Sequence, residues 1–136
     1  MAAHQLRLGA LRQWAALAVV AAACTVHAAE TPLRGTSWAS GAAASPRLLL
    51  DAVQPRLSGY AGCNRISAGF KLDGDRLAFS GMVSTRRACV PDDDADERFL
   101  KVLAEVRRWR IESGALLLSS ESGAPLLTLH AAPERP

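Results

Sequence analysis

Between Ile66 and Gly81 apolar and polar positions alternate. In "ISAGFKLDGDRLAFSG", Phe70 and Leu72 share one face of an incoming strand, and Leu77 and Phe79 share one face of an outgoing strand. A period of two marks a sheet with one buried face. Asp73-Gly74 between the runs predicts a two-residue type I′ hairpin turn, which needs φ > 0. Further on the period changes. Phe99, Leu100, Leu103 and Val106 recur at i, i+1, i+4 and i+7, the apolar stripe of one helix. Asp94 with Glu97 three residues later approximates a capping box after Pro91-Asp92-Asp93. Acidic residues crowd the helix start, and Arg107 and Arg108 stand at its end, both matching the helix dipole.

The remaining pattern is short strands separated by turn residues. Thr36-Ser37-Trp38 opens a first strand with Trp38 as core anchor. "RLLLDAV" from Arg47 to Val53 is a second apolar segment, closed by Pro55, and Arg56 to Ala61 a third. Gly41 to Pro46 between the first two reads as a loop. Trp109 to Glu112, Ala115 to Ser119 and Leu126 to His130 follow the helix, broken at Ser113-Gly114 and Gly123. Strands, one helix, then strands predict an α+β fold, a mainly antiparallel sheet. A lone helix of about three turns is unstable in water, so Phe99, Leu103 and Val106 are expected to face the sheet. Trp38, Phe70, Phe79, Phe99 and Trp109 are the expected aromatic core.

The N-terminus changes how charge and cysteines count. Arg7 and Arg12 precede the uncharged run "QWAALAVVAAACTV" from Gln13 to Val26. A positive segment, a short apolar segment and small residues describe a secretory signal peptide. Val26 and Ala28 suit cleavage after Ala28, which leaves residues 29–136 as a single domain. The alternative is a lipobox ending at Cys24, with that cysteine lipidated, although Ala21 stands where a leucine is usual. The chain has 16 basic and 13 acidic residues. Arg7 and Arg12 leave with the leader, so 14 basic face 13 acidic and the excess that would support nucleic-acid binding disappears. Cys63 and Cys89 remain, and an even pair in an oxidising compartment reads as one disulfide. Only His130 remains of three histidines, so a multi-histidine zinc site is excluded.

Candidate chemistry centres on "GYAGCNR", Gly59 to Arg65. A thiolate nucleophile at Cys63 needs a neighbouring base, and Arg65 cannot accept a proton. Its charge could still lower a thiol pKa, which keeps a redox sensor as a minor reading. Gly59 and Gly62 instead suit a tight or bulged backbone, and Asn64 suits a turn. Asp92 to Asp94 lack the alternating oxygen ligands and distal glutamate of a calcium loop. Arg86-Arg87 and Arg107-Arg108-Arg110 read as solvated positions, with an anionic headgroup patch as the sharper alternative. Ser119 to Ser122 reads as a polar hairpin loop.

Taken together, these residues carry a resemblance. "GYAGCNRISAGFKLDGDRLAF", Ser84-Thr85 with Cys89 four residues on, and "ERFLKVLAEVRRWRIESGALLL" resemble the META domain, the HslJ-like family of a heat-inducible bacterial envelope protein. Gly35-Thr36-Ser37-Trp38 resembles the family's opening segment, and the likeness covers about residues 33 to 131. Arg87 departs from it, standing where the family commonly has Met. The resemblance singles out Trp38, Gly62, Cys63, Asn64, Ser84, Thr85 and Cys89. It implies a curved sheet, a half-barrel, wrapping one helix. It also implies a non-enzymatic periplasmic or secreted protein, a stress-tolerance or binding module without cofactor, metal or catalytic residues. The expected partner is an envelope protein, a peptide or a lipid, with membrane attachment only through Cys24. A secreted inhibitor of a lysozyme-type hydrolase is the alternative function. Met82, Arg86 and Arg87 in "MVSTRR" are the expected partner surface, Met82 as an exposed apolar residue.

Overall fold

The computed structural model describes residues 20–23, 30–41, 46–88 and 94–133. Residues 1–19 and 24–29, which include Cys24 and the cleavage site at Ala28, lie outside the described residues, as do the loop residues 42–45, Cys89 and Asp92-Asp93. Among those described, no helix is long and apolar enough to cross a membrane.

Among the described residues eight strands run in chain order: β1 (Ser37–Ala39), β2 (Arg47–Leu50), β3 (Arg56–Tyr60), β4 (Arg65–Asp73), β5 (Arg76–Ser84), β6 (Arg108–Glu112), β7 (Ala115–Ser119) and β8 (Pro125–Ala131). Helix α1 (Ala95–Glu105) joins β5 to β6. Each strand pairs antiparallel with its sequence neighbour, and β1 pairs with β8 through Trp38↔Ala131 and Ala39↔His130. The sheet is therefore a closed barrel. Mainly antiparallel pairing with one helix was foreseen, but the expected half-barrel is corrected to a closed one. The closing pair joins the first and last of these strands, and three-residue β1 is too short for periodicity to announce it.

An eight-stranded barrel leaves an interior that side chains just fill. Alternate positions supply them: Leu48 and Leu50, Leu57, then Ile66, Ala68 and Phe70 along β2, β3 and β4, with Leu77, Leu116, Leu118 and Leu129 from the other side, all buried. Trp38 is fully buried and its Nε1 donates to the Leu33 carbonyl at 3.0 Å. Phe70 and Phe99 are core, whereas Phe79 and Trp109 are only partly buried against it. Gly59 faces inward opposite Leu48, and a Cβ there would collide with the Arg47 carbonyl oxygen. That position admits no side chain.

The β5–β6 seam is the weak join, with Arg76↔Arg108 its single register pair. Helix α1 packs against β5 and β8, burying Phe99 and Leu103, with Val106 buried just beyond its end. The apolar stripe thus does what the sequence implied. The helix ends differ from expectation. Asp94 is the N-cap but adopts φ 58 and makes no side-chain cap bond, so no capping box forms with Glu97. Arg107 lies past the last turn, yet its Nη1 donates to the Ala104 and Val106 carbonyls at 2.8 and 2.7 Å, satisfying exposed helix-end acceptors.

The hairpin shifts by one residue. Asp73↔Arg76 is its last pair, so Gly74-Asp75 forms the turn. Of these two residues only Gly74 has positive φ, at 57, the type II′ arrangement rather than I′. Between Ser67↔Val83 and Gly69↔Ser80, β5 carries one extra residue. Gly81 there has φ 61, a bulge that glycine accommodates. The bulge reverses the alternation beyond it. Met82 consequently packs partly buried against the core and Val83 is 63% exposed. The expectation of an exposed Met82 is corrected on that ground.

Candidate functional site

β3 and β4 meet in the turn Ala61 to Asn64, where Ala61 N–H donates to the Asn64 carbonyl at 2.9 Å. Gly62 takes φ 130, which explains a glycine there. The turn reaches two other parts of the chain. The Asp96 carboxylate, in the first turn of α1, accepts the Cys63 amide at 3.2 Å and the Asn64 amide at 2.8 Å. The buried Asn64 side chain accepts, through Oδ1, the Thr85 hydroxyl at 3.1 Å and the Arg87 amide at 2.7 Å. Thr85 is also bonded to Arg65 twice, its hydroxyl accepting the Arg65 amide and its amide donating to the Arg65 carbonyl, both at 3.0 Å. Ser84 Oγ donates to the Thr85 carbonyl at 2.9 Å.

The residues singled out in sequence therefore split. Gly62, Cys63, Asn64, Ser84 and Thr85 converge on one knot linking the β3–β4 turn, the end of β5 and the start of α1. Trp38 belongs to the barrel core instead. Cys63 is disulfide-bonded; Cys89, its expected partner, lies outside the described residues. Arg86 is exposed, and the Arg87 amide is part of the knot. Sequence reading missed Asp96, which sits 32 residues from the amide it holds. An acidic residue in a helix's first turn is ordinary, and nothing local reveals that a distant turn uses it.

No buried side-chain nitrogen or oxygen among the described residues lacks a hydrogen-bond partner. The knot's polar groups are spent on one another. Among the described residues, no cluster of three or more His, Cys, Asp or Glu is arranged to hold a metal ion.

Beyond the knot, charge is arranged by ordinary structural needs. At the opposite end of β3, Asp51 Oδ1 accepts the Gln54 and Val53 amides at 2.7 and 2.8 Å, which hold its carboxyl below the usual range. Arg34 closes the same end, donating to the Asp51 and Gln54 carbonyls at 2.7 and 2.9 Å with its guanidinium 5.1 Å from the Phe70 ring centroid. Arg76 forks onto Glu121 at 2.9 and 3.1 Å. That hydrogen bond lowers the Glu121 pKa and raises that of Arg76.

The model of one family, the META domain, matches residues 13–133. The chain belongs to the META domain family. Its fold is shared with two solved structures. An NMR structure of a protein from Burkholderia xenovorans is 23% identical with TM-score 0.63, covering 79% of this chain and 96% of that one. A second NMR structure is 21% identical with TM-score 0.57, covering 76% and 96%. No curated protein matches this chain. In this META domain the glycine-cysteine-asparagine turn and the downstream serine-threonine pair are two halves of one hydrogen-bonded knot.

Proposed function

We propose that this META domain is a non-enzymatic binding module exported to the bacterial envelope, where it supports stress tolerance. The observation carrying this reading is the consumption of the motif's polar groups in the knot. The Asn64 carbonyl, the Thr85 hydroxyl and the Asp96 carboxylate are each bonded to protein partners. A catalytic set needs a nucleophile, a base and an orienting group facing a space that substrate can enter. These groups instead fix a rigid scaffold, and rigid scaffolds bind partners at low ordering cost. Pairing of Cys63 with Cys89 after export belongs to the same proposal, as does a mature chain beginning at Ala29, or at a lipidated Cys24.

Partner contact then falls on the exposed surface beside the knot, where Val83 and Arg86 replace Met82 as the exposed candidates. The test compares envelope-stress tolerance in a strain lacking the protein, complemented with the parent or with Val83→Ser/Arg86→Gln. The module reading expects lost tolerance with an unchanged melting temperature. Full tolerance in a folded variant rejects this surface.

A further inference from the structure

Cations are distributed unevenly around this barrel. On the side built from α1, β6 and the β4–β5 turn, Arg76, Lys101, Arg108 and Arg110 each meet a carboxylate within 3.5 Å. On the outer face of β2, β3 and β4 the alternation that sends Leu48, Leu57 and Ile66 inward turns Arg47, Tyr60 and Arg65 outward. These three are direct cross-strand neighbours, Arg47↔Tyr60 and Tyr60↔Arg65. Neither arginine has a carboxylate partner among the described residues. Arg47 reaches only the Pro133 carbonyl, at 3.4 Å. Arg65 uses Nε on the Tyr60 hydroxyl at 2.9 Å and lies 5.5 Å from the Tyr60 ring centroid, leaving its terminal nitrogens to solvent. The nearby carboxylate of Asp96 is half-buried and occupied by the Cys63 and Asn64 amides. Val83 extends the face, since it pairs with Ser67 on the outward side of β4.

We infer that this face, Arg47, Tyr60, Arg65 and Val83 with exposed Arg86 beside it, docks on an anionic phospholipid bilayer. The inference rests on the binding-module reading and names its partner. Three features select a bilayer. The outer wall of a small barrel is convex, so guanidiniums two strands apart, with Cα atoms about 10 Å from each other, diverge. They suit phosphates spread over a surface rather than one enclosed anion. Tyrosine has an apolar body and polar tip suited to the headgroup zone. Val83 supplies an apolar contact without a hydrophobic groove. The net charge of the mature chain is near neutral, so the attraction is local to this face.

The test is sedimentation of the purified mature domain, lacking any lipid at Cys24, with vesicles of equal phosphatidylglycerol and phosphatidylcholine, or of phosphatidylcholine alone, at low salt. Binding to the anionic vesicles only is expected, lost by about 0.5 M salt where screening is short-ranged. Each arginine near an anionic surface contributes about fivefold to partition, so Arg47→Gln/Arg65→Gln should lower it about 25-fold. Both side chains hold only exposed contacts, so the melting temperature should not change. Lys101→Gln/Arg110→Gln, an equal charge change on the paired side, should bind like the parent. Equal binding to neutral vesicles, no binding to anionic ones, or equal losses in the two variants would overturn the inference. So would retention on a soluble anionic polysaccharide without vesicle binding. Should vesicle binding fail while Val83→Ser/Arg86→Gln still abolishes tolerance in cells, the lipid partner falls and the module reading stands.

Discussion

Replacing Asn64 by alanine removes the acceptor that ties β5's end to the β3–β4 turn. Two hydrogen bonds go, from the Thr85 hydroxyl and the Arg87 amide. Each contributes about 1 kcal/mol net, and an orphaned, partly buried amide adds about 1 kcal/mol more. The Thr85 hydroxyl keeps a partner because it still accepts the Arg65 amide, so no second orphan is counted. The expected loss is about 3 kcal/mol, a large fraction of the stability of a domain this size. It corresponds to a melting point lower by about 10–15 °C. Urea unfolding at neutral pH should show the midpoint falling with an unchanged slope. Thr85→Val in the same background should be non-additive by about 1 kcal/mol, since both changes delete one bond. A loss under about 0.5 kcal/mol, or strict additivity, would refute the knot as a source of stability.

Gly59→Ala should cost more than about 3 kcal/mol or abolish folding, because its Cβ meets backbone that cannot move aside; a soluble, parent-like variant in thermal melts counts against the assigned register. Asp51 and Glu121 have carboxyls held below their ordinary pKa, the first by the Gln54 and Val53 amides and the second by Arg76. A depressed folded pKa gives stability that is present above the unfolded value and lost as pH falls through the folded one, so melting temperature should drop on acidification below about pH 4. Glu121→Gln should flatten part of that drop, and an identical pH profile would contradict the assignment. Reducing the proposed Cys63–Cys89 bond should cost about 3 kcal/mol, chiefly through the unfolded chain; thiols that label rapidly in folded, oxidised protein exclude the pair.

Much of the architecture was legible because local patterns and tertiary roles agree. The β4–β5 hairpin and the inward face of α1 followed from periodicity, and Trp38 as a core anchor from a large apolar side chain at the entry to the first strand. What escaped has physical causes. Barrel closure depends on β1 meeting β8 across nearly the whole domain, and sequence periodicity carries no information on pairing partners. The orientation of Met82 turns on one bulge residue, Gly81, since a single insertion moves every later side chain to the other face. Asp96 looked like a helix-dipole residue and is one, but its carboxylate also holds the turn at Cys63-Asn64. The ion pairs of Arg76 with Glu121 and of Arg108 with Asp75 were equally invisible, because each joins residues far apart in the chain, 45 and 33 positions, whereas Lys101 and Glu97 are one helical turn apart.

The central claim is that the motif turn is locked into the scaffold rather than held open as a reactive loop. Amide hydrogen exchange of the folded, oxidised protein, read residue by residue by NMR, tests it most directly. The amides of Cys63, Asn64 and Arg87 donate to side-chain acceptors, not to strand neighbours. Locked, they should exchange with protection approaching that of the core strands, such as Leu57 and Leu77, and lose it in Asn64→Ala or Asp96→Ala. Exchange at free-loop rates in the parent, with the barrel strands still protected, would contradict the account and return the turn to consideration as an open, chemically available site.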